Sequence, residues 1–143
     1  MNNFSQKEIF KVAIAIVLII GTANTAFSQT KIEAPSSNFL ILVETIDDGL
    51  KLSGQEGCAW KELTFTLNQD KPQAIDQYGM TSSNRRKPVE NKNLTNFLFI
   101  IKKKKEGISL EGKEGTAWLT LNFSCPNGKC SQYIDFNGMS VKD

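Results

Sequence analysis

The sequence predicts an all-β fold: two tandem copies of a three- to four-stranded unit forming one pseudo-symmetric β-sandwich or barrel. The first observation behind this is an internal repeat. Asn38-Phe39-Leu40, Gly49, Leu52-Ser53-Gly54-Gln55-Glu56-Gly57-Cys58-Ala59-Trp60, Leu63, Phe65, Ile75-Asp76 and Gly79-Met80 return as Asn96-Phe97-Leu98, Gly107, Leu110-Glu111-Gly112-Lys113-Glu114-Gly115-Thr116-Ala117-Trp118, Leu121, Phe123, Ile134-Asp135 and Gly138-Met139. The second is that each copy breaks into short apolar or alternating runs punctuated by glycine, the pattern of strands joined by turns. The third is size: one copy, at about 43 residues, lies near the limit below which a chain buries too little surface to fold alone, so the two should share a core.

The elements follow in order. Residues 1–28 read as a signal peptide: Lys7 and Lys11 precede an apolar run from Val12 to Ile20, and Ala26-Phe27-Ser28 supplies small residues for cleavage before Gln29. That run falls short of the roughly 20 residues a spanning helix needs, so no membrane span is expected after cleavage. Residues 29–143 are expected to form a single β domain, with copy one over 38–80, a basic connector over 81–95 and copy two over 96–140.

In each copy the first strand is a near-continuous apolar run, Phe39 to Val43 and Phe97 to Ile101, which suits a strand covered on both faces. Asp48-Gly49 and Glu106-Gly107 then predict hairpins in which the glycine takes a positive φ. Leu50 and Leu52, matched by Ile108 and Leu110, alternate as a half-buried second strand does. A third strand is expected from Cys58 to about Leu67 and from Thr116 to about Cys125. Its parity changes after the tryptophan, so either a bulge follows Trp60 and Trp118 or the indoles face away from the core. A short fourth strand at Gln73–Ile75 and Gln132–Ile134 leads into an Asp-x-x-Gly-Met corner that fits a type I turn.

Composition excludes much chemistry. The chain has no histidine, which removes histidine-activated serine and cysteine nucleophiles and histidine-based zinc sites. No cofactor or metal is expected. Copy one carries three Lys/Arg against seven Asp/Glu, and the rest of the chain from Thr81 carries eleven against six. This polarity can mark a partner surface or help two half-domains pair, and the second reading is preferred because net charge speaks of association rather than fold.

Four groups of residues are candidates for chemistry. Asp76 and Asp135 are paired by the repeat, as acid–base dyads built from matched halves are, but a carboxylate that caps its own turn is the simpler reading. Trp60 and Trp118 would form a ligand platform if exposed, and belong to the core if the strand bulges; core packing is preferred because large aromatics are usually buried. In an exported chain Cys125-Pro126-Asn127-Gly128-Lys129-Cys130 holds an Asn-Gly turn between two cysteines and predicts a Cys125–Cys130 disulfide. That leaves Cys58 as a spare thiol, either a small buried hydrophobe or a catalytic candidate, although connectivity is not encoded in the sequence and a bridge from Cys58 to Cys125 or Cys130 is the alternative. The basic clusters Arg85-Arg86-Lys87 and Lys102-Lys103-Lys104-Lys105 could bind anionic glycans or head groups, or could protect a strand end from aggregation, which is the preferred reading. An exported chain makes nucleic acid an improbable partner.

On Gly57-Cys58-Ala59-Trp60-Lys61-Glu62-Leu63, Gly115-Thr116-Ala117-Trp118, Cys125-Pro126 with Cys130, and the two Ile-Asp-x-x-Gly-Met corners, the chain resembles a family of small exported proteins of Bacteroidota that carry these paired signatures. The resemblance covers nearly all of the mature chain and carries no activity with it. Taken together these readings predict a periplasmic or secreted, non-enzymatic β-domain that binds a protein or glycan of the envelope or extracellular space through one face, or through the connector and the lysine-rich end. The alternatives are a thiol-dependent enzyme or redox protein using Cys58 with Glu56 or Asp76 nearby, and an inhibitor or immunity-type protein.

Overall fold

The structure is a computed structural model that describes residues 38–68 and 71–141. The expected signal peptide lies outside the described residues. Copy one supplies β1 (Leu40–Ile46), β2 (Gly49–Glu56), β3 (Glu62–Phe65), β4 (Gln73–Asp76) and β5 (Gly79–Thr81). Copy two supplies β6 (Leu98–Lys104), β7 (Gly107–Glu114), β8 (Thr120–Ser124), β9 (Ser131–Asp135) and β10 (Gly138–Ser140). They form two five-stranded antiparallel sheets, ordered β10-β9-β1-β2-β3 and β5-β4-β6-β7-β8. We call these sheet A and sheet B. The fold is an all-β sandwich of two similar units.

The two copies exchange their last hairpins. Strands β9 and β10 of copy two complete sheet A by pairing with β1 (Ile41 opposite Ile134), and β4 and β5 of copy one complete sheet B by pairing with β6 (Ile75 opposite Phe99). Each sheet is therefore built from both copies. Neither copy has a complete sheet of its own.

The core between the sheets follows the period-2 pattern. Phe39, Ile41, Val43, Leu50 and Leu52 point inward from sheet A, and Phe97, Phe99, Ile101, Ile108 and Leu110 from sheet B, joined by Ile75 and Ile134. The repeat-related Phe39 and Phe97 meet with ring centroids 4.5 Å apart, as equivalent residues near a pseudo-twofold axis must.

Three expectations change in detail. The third strands are shorter than predicted, because the chain from Gly57 to Lys61, and from Gly115 to Leu119, leaves the ladder. This departure explains the parity change: both indoles turn into the core, where Trp60 and Trp118 are each 8 % exposed. Each indole N–H is satisfied there by a backbone carbonyl, Trp60 Nε1 donating to Asp76 O and Trp118 Nε1 to Asp135 O, both at 2.9 Å.

Gly49 and Gly107 do not take positive φ. They are needed for a different reason, since a Cβ on either would lie 2.2 Å from a carbonyl oxygen of the neighbouring strand, Phe65 O or Phe123 O. The Asp-x-x-Gly-Met corners are the turns of the β4–β5 and β9–β10 hairpins, whose last strands the sequence pattern did not reveal.

Candidate binding surfaces

Because Ile75 and Ile134 face inward, the next residue in each strand faces outward. Asp76 thus lies on the outer face of sheet B and Asp135 on the outer face of sheet A. They belong to opposite sides of the sandwich and cannot form a dyad. Each caps its own hairpin instead: Tyr78 N–H donates to Asp76 Oδ1 at 2.8 Å, and Asn137 and Gly138 N–H donate to Asp135 Oδ1 at 2.7 and 3.0 Å.

The second carboxylate oxygen distinguishes the two. On sheet B the register places Asp76 opposite Leu98, and Leu98 opposite Glu114, so two acids flank one leucine across the sheet. Arg85 of the connector spans that row. Its Nε lies 2.7 Å from Asp76 Oδ2, its Nη2 lies 3.6 Å from Glu114 Oε2, and Nη2 donates to Phe97 O at 3.3 Å. The Arg85 and Asp76 side chains are only 8 % and 5 % exposed. On the same face Ala74, Leu98 and Ile100 form a second buried apolar cluster. Arg85, expected as a binding cation, is thus committed to holding the domain's own connector. Arg86 is exposed.

Sheet A carries the same row without the arginine. Leu40 lies opposite Asp135 on one side and Glu56 on the other, and the β-bulge at Leu40/Ile41 that turns Glu56 outward has its twin at Leu98/Phe99. Among the described residues neither Glu56 nor Asp135 enters an ion pair. Leu40, Leu42 and Tyr133, the counterparts of Leu98, Ile100 and Ala74, are half-buried where their twins are buried.

The lysine run divides by strand position. Lys102 pairs with Glu111 at 3.4 Å, and Glu111 also pairs with Lys113. These lysines, Lys113 foremost, hold the Glu111 carboxyl below its usual range. Lys103 is exposed on β6. Lys104 and Lys105 line an open cleft of about 390 Å³ at the β6–β7 turn, floored by Ile108 and Phe123. This end joins two lysines of the predicted cluster to a concave surface that includes apolar side chains.

Cys125 and Cys130 are disulfide-bonded, with Cα atoms 4.6 Å apart, and the loop turns on Asn127-Gly128, both at positive φ. Thr45 fastens this loop to β1, its N–H donating to Cys130 O at 3.0 Å and its Oγ1 accepting from Cys130 N–H at 2.9 Å. Such a bridge fits a compartment outside the reducing cytosol.

Cys58 is half-buried against the core. Its thiol donates to Glu56 O at 3.4 Å, a backbone carbonyl rather than a base, while Asp76 is held by Arg85. Burial pushes the thiol up to about 12, against a small opposing pull from Lys61. Neither the aspartates nor Glu56 forms a nucleophile–base pair with it. In copy two, Thr116 fills the position and donates to Trp118 O at 2.9 Å.

Among the described residues no group of three His, Cys, Asp or Glu side chains could hold a metal, and no helix is long and apolar enough to cross a membrane. No family model, curated protein or solved structure matches the chain.

Proposed function

We propose that this chain is an exported, non-enzymatic binding domain whose recognition surface is the outer face of sheet A. The observation that carries this reading is the inequality of two faces built from one repeat. On the sheet B face Arg85 bridges two acids beside a buried apolar cluster, whereas on its twin Glu56 and Asp135 enter no ion pair among the described residues and Leu40 and Leu42 are half-buried. A face that pairs apolar area with directed charge has what a partner requires. The disulfide, and the resemblance to small exported Bacteroidota proteins, support a periplasmic or secreted address. The raised thiol of Cys58 weighs against a thiol enzyme, because the thiolate is the nucleophile.

The test is capture of an envelope or secreted component by the immobilised mature chain, repeated with Leu42→Asp. Capture lost in this variant, with the circular dichroism of the folded domain retained, supports the reading. No component bound with a sub-millimolar dissociation constant overturns it.

A second reading rests on the cleft beside Lys104 and Lys105, whose two cations over an apolar floor suit an anionic glycan. Binding of a sulfated or uronic-acid oligosaccharide that Lys104→Glu abolishes would favour it.

A further inference from the structure

Taking the binding-domain reading as its basis, we infer that the Glu56–Leu40–Asp135 row of sheet A is a binding site for an arginine side chain presented by a partner polypeptide. Two acidic residues alone would not establish a site. The independent observation is that the equivalent residues of the same molecule already hold a guanidinium.

The correspondence is residue by residue. Asp76, Leu98 and Glu114 of sheet B are the repeat counterparts of Asp135, Leu40 and Glu56, and the registers Asp76↔Leu98↔Glu114 and Asp135↔Leu40↔Glu56 are the same. On sheet B, Arg85 places Nε against one acid, a terminal nitrogen toward the other and a third contact on the Phe97 carbonyl. On sheet A the Phe39 carbonyl is the third counterpart. The capping oxygen is also the same one: Oδ1 of each aspartate accepts hairpin N–H groups, which leaves Oδ2, the atom that meets Arg85, for a ligand on Asp135.

A guanidinium matches this site better than an ammonium. It is planar, offers several donors in fixed directions, and can meet two carboxylates and a carbonyl at once. The wider face supplies the rest of the docking surface, because Leu40 and Leu42 remain half-buried where Leu98 and Ile100 are buried. On sheet B the equivalent acids are bridged by an arginine of the chain's own connector, whose N–H donates to Ser82 O at 3.1 Å. The occupant on sheet A should therefore share the connector's chemistry: a segment with an arginine near apolar or proline residues. Copy one also carries the acidic half of the chain's charge, which complements a basic segment.

The probe is a blocked peptide of the connector's own sequence, residues 83–91 (Ser-Asn-Arg-Arg-Lys-Pro-Val-Glu-Asn), titrated into the isotopically labelled mature chain and followed by backbone NMR. The expected result is saturable shifts at Leu40, Leu42, Glu56 and Asp135. Binding should weaken at least tenfold in Glu56→Gln, a change at an exposed position that the fold tolerates. It should weaken similarly when the peptide arginine that matches Arg85 is replaced by citrulline, and it should decline with added salt. Shifts that ignore both neutralisations overturn the site. So do shifts confined to Lys104 and Phe123 or to Leu98 and Ile100, or the absence of saturation at millimolar peptide. Binding that develops only after residues 29–37 are deleted also overturns it, since the chain's own leading segment would then be the occupant.

Capture with the same variant separates this inference from its basis. A partner held equally by wild type and Glu56→Gln leaves the binding-domain reading standing and removes the arginine site. No partner for either removes the reading itself.

Discussion

Strands β1 and β6 are the same strand written twice, and they end in different surroundings. Both carry a run of apolar residues that reads as covered on two faces. In β6 and the residue before it, Phe97 to Ile101 are all buried, whereas in β1 the outward Leu40 and Leu42 are only half-buried. The inward halves, Phe39, Ile41 and Val43 against Phe97, Phe99 and Ile101, are equivalent. The difference lies on the outer face, where Arg85 bridges Asp76 and Glu114 on one side of the sandwich and has no counterpart on the other. The lesson is that a duplicated unit keeps its core in both copies because both copies share that core, while its outer faces are free to diverge.

Breaking the closed face should produce the largest effect. Arg85→Ala leaves Asp76 buried beside Leu98 with its charge uncompensated, and the expected loss is about 3–5 kcal/mol, read by urea denaturation. The double variant Arg85→Met/Asp76→Asn should recover much of it. If Arg85→Ala costs no more than a surface substitution, the clasp on sheet B is decorative and the comparison with sheet A loses its basis.

Next comes the asymmetry of the loops. Reduction of the Cys125–Cys130 bridge, which closes a very short loop, should cost about 2 kcal/mol through the unfolded chain. This is measurable as a lower urea midpoint with dithiothreitol. Leu67, the repeat counterpart of Cys125, anchors the matching loop in the core instead. A Leu67→Ala change in the reduced protein should therefore destabilise further, by about 2–3 kcal/mol.

On the open face, Asp135→Ala removes only a hairpin cap and should cost about 1 kcal/mol, several-fold less than the Arg85 change in the same denaturation assay. An equal cost at both positions would show that Asp135 is as deeply committed to folding as Asp76, and would leave it unavailable to a ligand.

The smallest effect on stability concerns Cys58, whose repeat counterpart is Thr116. With its thiol pushed up to about 12 by burial, the thiolate at neutral pH should be about a thousandfold scarcer than on an ordinary cysteine. Alkylation of the folded protein should be correspondingly slow and should accelerate on unfolding. The sign for stability follows from the raised value. The contribution is fully present below the ordinary thiol range near pH 9 and is lost as pH rises toward 12. Cys58→Ser should remove that alkaline loss while changing stability little at pH 7. Rapid labelling of the folded protein at neutral pH would instead return the thiol to consideration as a reactive centre.

Much of the architecture was legible because its signals are local. Alternation at Leu50/Leu52 and Ile108/Leu110 marked β2 and β7, the Asn-Gly pair marked the disulfide loop, and the small size of each copy implied a shared core. The tryptophans were harder, since the parity change at Trp60 and Trp118 told of a backbone departure but not its direction. Gly49 and Gly107 were recognised as required, yet for turn conformation rather than for the close approach of Phe65 O and Phe123 O, a contact between chain segments that no dipeptide pattern encodes. The candidate site was the least legible part. Arg85 reads as a binding cation for an external anion rather than for Asp76 and Glu114, and Glu56 enters only as a neighbour of Cys58.

The sequence by itself determined the first two strands of each copy, the sites of their hairpins, the disulfide loop and the need for two copies to form one core. Each of these follows from side-chain periodicity, turn chemistry or chain length, which act over a few neighbouring residues. The tertiary structure alone decided that the β4–β5 and β9–β10 hairpins change partners between copies, that Arg85 returns over Leu98, and that the row at Leu40 is left without its arginine. Those outcomes depend on which distant segments meet. Strand pairing uses the same backbone groups whichever copy supplies them, so a repeat written twice is compatible with either arrangement until the whole chain is folded.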